Sequence, residues 1–574
     1  MIVKVYKSLI LFLFVGILIG CSPAASNPQQ DDIGLEVKKS AGEENASTDN
    51  QNTTTVESGF DPGVHGFSFN NYTNLDGVVN MTEQDMLRLF GDPVCARLTE
   101  DGCTLSPTAR EWMEKANRAM NGGHCEGMAV LSQLMFYDRA APENFGGDVA
   151  YDLDLVGNEK LQREIAYWWL TQITHPGSSI RINSSPSEVV YTLQETFDQG
   201  KEIDEAWVLG IYQPDMSAGH SITPASLVDK GEGIFHIMVY DNNFPNELRP
   251  IIVDTNQETW QYQTRSRPDD PDTIYRGDVD TRTLEAVAIS PRLEQQECFF
   301  CRAGDQSVRS TKSSADIEER IFNIWLEGDA DLVITDKSGH QLGIVDGKMV
   351  NEIPGAKVIW LRTQTDNSTI ELTPHYLVPF REGLDFLIDG SRLDSPGFSS
   401  FSLIGAGGGF VSIDDIWVRP GETQEVSVWA EGTTRYQVVY WPNDIETPVV
   451  KIGVESERPQ ADYTFLVRAN ELTTSEDELN VIVDGETGEF ILSTEYNAAP
   501  VSYGLYVQRI DQDSEFTFSR PDFSLDPKTT VTLIYDEWEG DGEVMRALVD
   551  YGNDGEIDKE IEIPDQQIDF DFYE

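Results

Sequence analysis

The chain has 574 residues, 39% of them hydrophobic, a length and composition that suit about three or four domains with real cores. Its 99 acidic residues against 41 basic ones give a formal net charge of −58. A surface of that sign repels phosphate backbones, which excludes nucleic acid as a partner; it suits a salty medium or divalent cations, and serves equally well as a plain solubility feature.

In chain order, the first segment reads as an export signal. Lys4 and Lys7 precede an apolar run from Leu9 to Ile19, and Gly20-Cys21-Ser22-Pro23 follows; the run is too short for a transmembrane helix. Leu18-Ile19-Gly20-Cys21 resembles the bacterial lipobox. The resemblance implies residues 1–21 as a lipoprotein signal and lipid on Cys21. Acyl chains at about 0.8 kcal/mol per buried CH₂ would then hold everything downstream at a membrane. Residues 22–57 are Ser, Asn, Gln, Thr, Asp and Glu with almost no large apolar side chain, so a disordered tether is predicted. By coil scaling it holds the folded part roughly 30 to 35 Å from the surface.

A mixed pattern begins near Gly59. Ser106-Pro107 reads as an N-cap with proline at the first helical position, and residues 109–120 are amphipathic. After the break at Gly122-Gly123 a helix is predicted to open near Cys125. Met128, Ala129, Val130, Leu131, Leu134, Met135 and Phe136 make it apolar nearly all round, as befits a helix at the centre of a domain. Further helices are predicted over 160–174 and 187–199, the latter stopped by Gly200. From Trp207 the period switches to strands over 207–212, 221–228, 233–240 and 249–254, with 229–233 as a hairpin turn.

Helices followed by an antiparallel sheet predict an α+β domain over residues 58–313. Residues 314–326 read as a linking helix. Beyond them, short strands recur between turn residues, for example over 331–335, 384–388, 425–429, 436–441, 463–468 and 530–535. All-β sandwich-like modules are predicted there, divided near Glu455 to Pro459 into 314–455 and 456–574.

The six cysteines sort readily. Apart from Cys21, Cys95 and Cys103 flank a short polar loop, and Cys298 and Cys301 form Glu-Cys-Phe-Phe-Cys-Arg; in an exported protein such close pairs read as disulfides. A zinc site built from both pairs is the alternative, opposed by their distance in sequence. Cys125 is left without a partner. It lies in Asn121-Gly122-Gly123-His124-Cys125-Glu126-Gly127-Met128, just past a glycine break and at the start of a buried helix. There the unpaired N–H groups and the helix dipole favour a thiolate, the nucleophilic form; a buried structural cysteine is the bland alternative.

A thiol needs a base. His220 follows Gly219 and precedes an apolar strand. The next strand ends in Asp241-Asn242-Asn243, which a simple hairpin returns toward His220, where a carboxylate or amide can hold the imidazole's tautomer. His236, mid-strand, competes as base but reads as a core or surface histidine, and His124 points away from its neighbour Cys125.

Gly-Gly-His-Cys-Glu-Gly-Met, Gly-His-Ser-Ile-Thr-Pro and Val-Tyr-Asp-Asn-Asn together resemble the papain-like cysteine peptidase superfamily over residues 59–304. The resemblance implies a papain-like domain of central helix plus antiparallel sheet. It makes Cys125 the nucleophile, His220 the general base and Asp241 the orienting group, with Asn242 as the next choice, acting on a peptide or protein substrate. The family has glutamine shortly before the nucleophile and an aromatic after it, whereas this chain offers Asn117 and Asn121 and then Glu126. Asn121 is the amide put forward to join the Cys125 N–H in an oxyanion hole. Transglutaminases share the Cys, His, Asp order, so acyl transfer to an amine stays open, as does a non-enzymatic surface adhesin or binding lipoprotein on the same scaffold. No cofactor is required for this chemistry. Asp550, Asn553, Asp554 and Asp558 resemble a calcium loop, although Gly552 and Ile561 depart from the EF-hand pattern and an acidic β-turn explains the same residues.

Overall fold

In the computed structural model, which describes residues 54–567 apart from 75–76, 101, 265–272, 302–320, 364–373, 381–382, 406–407, 432–433, 444–446, 458–459, 471 and 473–476, all the α-helices described lie between Pro62 and Asp198. The signal segment with Cys21, tether residues 22–53 and positions 314–320 of the expected linking helix lie outside the described residues. No helix among the described residues is long and apolar enough to cross a membrane.

The helices begin where capping chemistry places them. α1 (Pro62–His65) starts after Asp61, whose carboxylate accepts from Gly63 N–H, and α2 (Glu83–Phe90) has a capping box between Thr82 and Asp85. α3 (Pro107–Ala119) is capped by the Ser106 hydroxyl, which accepts from Ala109 N–H, with Pro107 in the first turn. α4 (Cys125–Phe136) buries all twelve of its residues. α5 (Glu159–Leu170) is capped by Asn158 and α6 (Pro186–Asp198) by Ser185. α4 and α5 approach closely because residue 127 is glycine: a Cβ there would stand 1.9 Å from the Ile165 carbonyl oxygen.

Around these helices runs a nine-stranded antiparallel sheet. Its strands are β1 (Thr54–Glu57), β4 (Arg181–Ile182), β5 (Trp207–Tyr212), β6 (Gly219–Asp229), β7 (Ile234–Tyr240), β8 (Leu248–Asp254), β9 (Thr259–Thr264), β10 (Thr273–Asp278) and β11 (Leu284–Ala288); β2 (Cys95–Thr99) and β3 (Gly102–Leu105) form a separate hairpin. The order is β10-β9-β8-β7-β6-β5-β11-β4, with β1 on β6. β6 pairs with β5 through residues 219–222 and with β7 through 223–229. The register of β6 on β7 shifts between Pro224 and Ser226, where proline has no N–H to give the ladder. Residues 54–57, counted in the tether, pair instead with Ser226 to Asp229 of β6.

Two further antiparallel sheets take up the rest of the chain. One has nine strands, from Lys357–Ile359 at one edge to Glu515–Leu525 at the other, and the other has eleven, from Lys348–Asn351 to Lys559–Pro564. Their apolar faces meet in one core containing Phe322, Ile324, Leu332, Tyr376, Phe386, Phe465 and Tyr535. Both sheets hold strands from either side of residue 455, and the hairpin of Val450–Glu457 with Gln460–Asn470 crosses that position.

The fold class is therefore not the predicted papain-like α+β domain with all-β modules behind it. Strands account for 44% and helices for 18%, in large antiparallel sheets, so the molecule is mostly β. The expectation failed because it ended the first sheet at residue 254, missing β9 to β11, and because it took 314–326 as helical. Ile321–Glu327 is a strand in the nine-stranded sheet, paired on both edges, with Phe322, Ile324, Trp325 and Leu326 buried. Short apolar runs of this kind do not separate strand from buried helix by periodicity alone.

Helices and β-sandwich share their packing. Trp325, Leu361, Ile404 and Phe410 belong to the core that surrounds α3, α4 and α5. Lys115 of α3, fully buried, reaches Asp414 at 2.8 Å, and Lys451 meets the same carboxylate at 2.9 Å. Both expected disulfides form, Cys95 with Cys103 and Cys298 with Cys301, at Cα separations of 5.5 and 5.4 Å. Two disulfides fit an extracellular or otherwise oxidising environment. Cys125 is the free cysteine among the described residues.

Candidate functional site

Cys125 is the first residue of α4, and the chain reaches it through Gly123, whose φ of +134° is one that side-chain-bearing residues rarely adopt. His124, at the N-cap, makes no side-chain capping bond. Its own N–H is taken by Asn71 Oδ1 at 2.8 Å.

His220 is the second residue of β6, and the β6–β7 register, with Thr223 opposite Tyr240, brings the residues after β7 back beside it. Asp241 Oδ1 lies 2.8 Å from His220 Nε2. The carboxylate is held in turn by Tyr262 of β9, whose hydroxyl donates to Oδ2 at 2.6 Å, and by Asn243 N–H, which donates to Oδ1 at 2.9 Å. With Nε2 committed to Asp241, Nδ1 is left buried without a hydrogen-bond partner, and the Cys125 sulfur is close enough to act on the ring electrostatically. The thiol donates instead to the Arg362 carbonyl oxygen at 3.4 Å.

Cys125, His220 and Asp241 are all completely buried. Burial alone would lower the His220 pKa, but Asp241 and Cys125 outweigh it and raise it to about 10. Burial would likewise raise Asp241, and the facing imidazole, Tyr262 and Asn243 hold it below the usual carboxylate range. The result is a sulfur, an imidazole and a carboxylate in one dry cluster, residue types suited to acyl transfer through a thioester.

Asn242 is beside this line rather than in it. Its Nδ2 donates to the Cys125 carbonyl at 3.1 Å and to the Ser221 carbonyl at 3.0 Å, fastening the mouth of α4 to β6. Asn121 is exposed, and its Oδ1 accepts from Asn74 N–H at 3.3 Å, outside the buried site. Two further amides bond the residues around Cys125, Asn71 at His124 N–H and Gln172 at Arg362 N–H, and no local pattern in the sequence marks them. Asn71 Nδ2 lies 2.9 Å from where a Cβ on Gly123 would stand, and Gln172 Oε1 accepts from Arg362 N–H at 2.8 Å. His124 is stacked on Tyr72 at 4.1 Å with both ring nitrogens engaged, by the Tyr72 carbonyl and Asn80 Oδ1; burial lowers its pKa to about 4. His236 sits opposite Val228, toward the other end of the β6–β7 ladder from Thr223 and Tyr240.

A second buried group adjoins the first. Glu126, next to the nucleophile position, bonds Arg362 Nε at 2.6 Å, Arg362 Nη2 at 2.8 Å and Arg292 Nη2 at 2.6 Å. Arg362 also bonds Tyr212 Oη at 3.0 Å and Glu285. Burial would raise the Glu126 pKa, yet the two guanidinium groups hold it far below the usual carboxylate range.

A cavity of about 510 Å³ lined by Arg110, Glu111, Glu114, Asp414 and Lys451 lies between α3 and the sandwich, apart from these residues. At the acidic loop before the last strand, Asp550 accepts from Asp554 and Gly555 N–H, Asp554 from Glu556 N–H and Asp558 from Tyr551 N–H, while Asn553 accepts from the Thr530 hydroxyl. No group of three or more His, Cys, Asp or Glu residues among those described converges as a metal site would require. Comparison of the chain with protein-family models, with curated proteins and with solved structures finds no match, so the geometry around Cys125 carries the functional reading by itself.

Proposed function

We propose that this protein is a thiol hydrolase of peptide or isopeptide bonds, exported and held at a bacterial membrane surface by lipid on Cys21. The observation that carries the reading is the 2.8 Å contact of His220 Nε2 with Asp241, which leaves the other ring nitrogen for the Cys125 thiol at the start of a buried helix. The proton resides on His220 as an imidazolium that Asp241 steadies, and the Cys125 sulfur reacts as the thiolate paired with it. The sulfur attacks the substrate carbonyl carbon, and the first N–H groups of α4 face the oxygen that becomes negative. His220 then protonates the departing amine, leaving a thioester. Water, deprotonated by the same imidazole, releases the acid and restores the thiol. An amine arriving in place of water would make the second step a transamidation on the same residues.

The lipid on Cys21 is supported by the lipobox-like residues 18–21, and export by the two disulfides. Alkylation of Cys125 by iodoacetamide at pH 7, followed by intact mass, tests the pair in chains that carry Arg362→Ala, since the Arg362 carbonyl lies against the thiol. In a folded His220→Ala variant the rate is expected to fall by about tenfold or more, because the thiolate has lost its counter-ion. Equal rates would make Cys125 a structural thiol and return the chain to the adhesin reading.

A further inference from the structure

Cys125 is covered by the chain itself. Leu361, Arg362 and Thr363 follow the edge strand Lys357–Ile359 and cross the mouth of α4. All three are buried. Arg362 N–H donates to Gln172 Oε1, the Arg362 carbonyl faces the Cys125 sulfur at 3.4 Å, and Thr363 N–H donates to the Gly219 carbonyl at 3.0 Å. The two glycines that border nucleophile and base lie against this backbone. A Cβ on Gly219 would stand 2.7 Å from the Leu361 oxygen, and one on Gly123 would stand 2.4 Å from the Thr363 oxygen. Main-chain hydrogen bonds on one side and side-chain-free residues beneath are how a cleft receives a peptide.

The side chain of Arg362 is received in the same manner. Glu126 takes it with two parallel bonds, and Glu285 and Tyr212 take the remaining nitrogen. These acceptors come from α4, β11 and β5, elements that build the site, whereas the guanidinium arrives from 237 residues beyond Cys125. Arg362 thus relates to the site as a ligand does to its pocket.

We propose that the groove over Cys125 is a peptide subsite selective for arginine, and that residues 361–363 fill it as an internal pseudosubstrate that shields the thiol from external substrate. The proposal rests on reading Cys125 as the nucleophile. It also explains why Cys125, His220 and Asp241, all fully buried, have no open approach. Opening the groove would leave Glu126 and Glu285 with only Arg292 and the partly exposed Arg181 as cations, so the segment stays seated unless something displaces it.

The test uses the full chain with Arg362→Ala, again reading iodoacetamide labelling of Cys125 at pH 7. Labelling is expected to run at least about tenfold faster than in the unaltered protein, since a covered thiol becomes accessible. Acetyl-Leu-Arg-Thr-amide is expected to slow it saturably, and acetyl-Leu-Glu-Thr-amide is not. A folded Arg362→Ala protein that labels no faster, or that both peptides protect equally, overturns the proposal. Should that variant fail to fold, Thr363→Pro removes the N–H bonded to Gly219 and restrains the backbone there while the Arg362 side chain is kept; faster labelling supports the seated segment and an unchanged rate overturns it. Labelling and protection report access and binding, not turnover. A protein that binds the arginine peptide without ever cleaving it would therefore remove the hydrolase reading and leave the subsite in place, whereas fast labelling blind to arginine would do the reverse.

Discussion

His220 shows how burial and a partner compete at one residue. Without Asp241, an imidazole this deep would shed its proton, as His124 does with a pKa near 4. With Asp241 and Cys125 beside it, the pKa is instead raised to about 10. An imidazole that binds its proton more tightly folded than unfolded, where the pKa is about 6.5, stabilises the fold fully below that pH and loses the contribution as pH rises toward 10. The melting temperature is therefore expected to decline from pH 6.5 to 10 in the unaltered protein, and to decline less in His220→Gln. Equal slopes in scanning fluorimetry would show that the His220–Asp241 pair does not hold the proton.

At the scale of elements, α4 ties the chemistry to the architecture. It carries Cys125 and Glu126 at its first turn and is buried on every side, so its position depends on how closely α5 and β6 can approach. Gly127 permits the α5 approach. Gly127→Ala puts a methyl group into the Ile165 carbonyl, and since backbone cannot rotate away as a side chain can, a loss of about 3 kcal/mol or more is expected. Urea denaturation measures it; a loss below 1 kcal/mol, the scale of ordinary helix propensity, would mean that the two helices can part without cost. The hairpin of β6 and β7 is the other determinant, because its register decides which residue after Tyr240 meets His220. That residue is Asp241, while Asn242 turns to the Cys125 carbonyl.

For the whole molecule, the question is what makes the helical segment and the two large sheets act as one body. The described residues fall in one compact unit, and the buried ions between α3 and the sandwich are part of the reason. Lys115 serves Asp414, Glu111 and Glu327 from a fully buried position. Lys115→Met strands these carboxylates with Lys451 and Arg118 as the remaining cations, and a loss of about 3 kcal/mol is expected by chemical denaturation. A single cooperative transition that shifts as a whole would show the coupling; early release of one part, with the rest unchanged, would show that the ions are dispensable to it. The coupling matters for the site, because the segment over Cys125 follows directly on the edge strand Lys357–Ile359 of the second nine-stranded sheet.

Much of the local structure was legible from residue types. Ser106-Pro107, the apolar run after Cys125, and the alternating segments from Trp207 onward each announce their element through capping, periodicity or β-branching, which are properties of neighbours in sequence. The pairing of four cysteines followed from spacing, and that singled out Cys125. Fold class was not legible in the same way. Strand pairings are long-range, and a run such as Ile321–Glu327 looks alike whether it is helix or strand until its partners are known. Nor were Tyr262, Asn71, Gln172 or Arg362 marked by any motif, since each gains its role only from what the folded chain sets beside it. The sequence by itself determined which side chains are chemically able to act, because thiol, imidazole and carboxylate are fixed by residue identity. Only the tertiary structure decided that they meet, that they are dry, and that an arginine from a segment far along the chain lies over them, because distance, burial and occupancy belong to the packed chain.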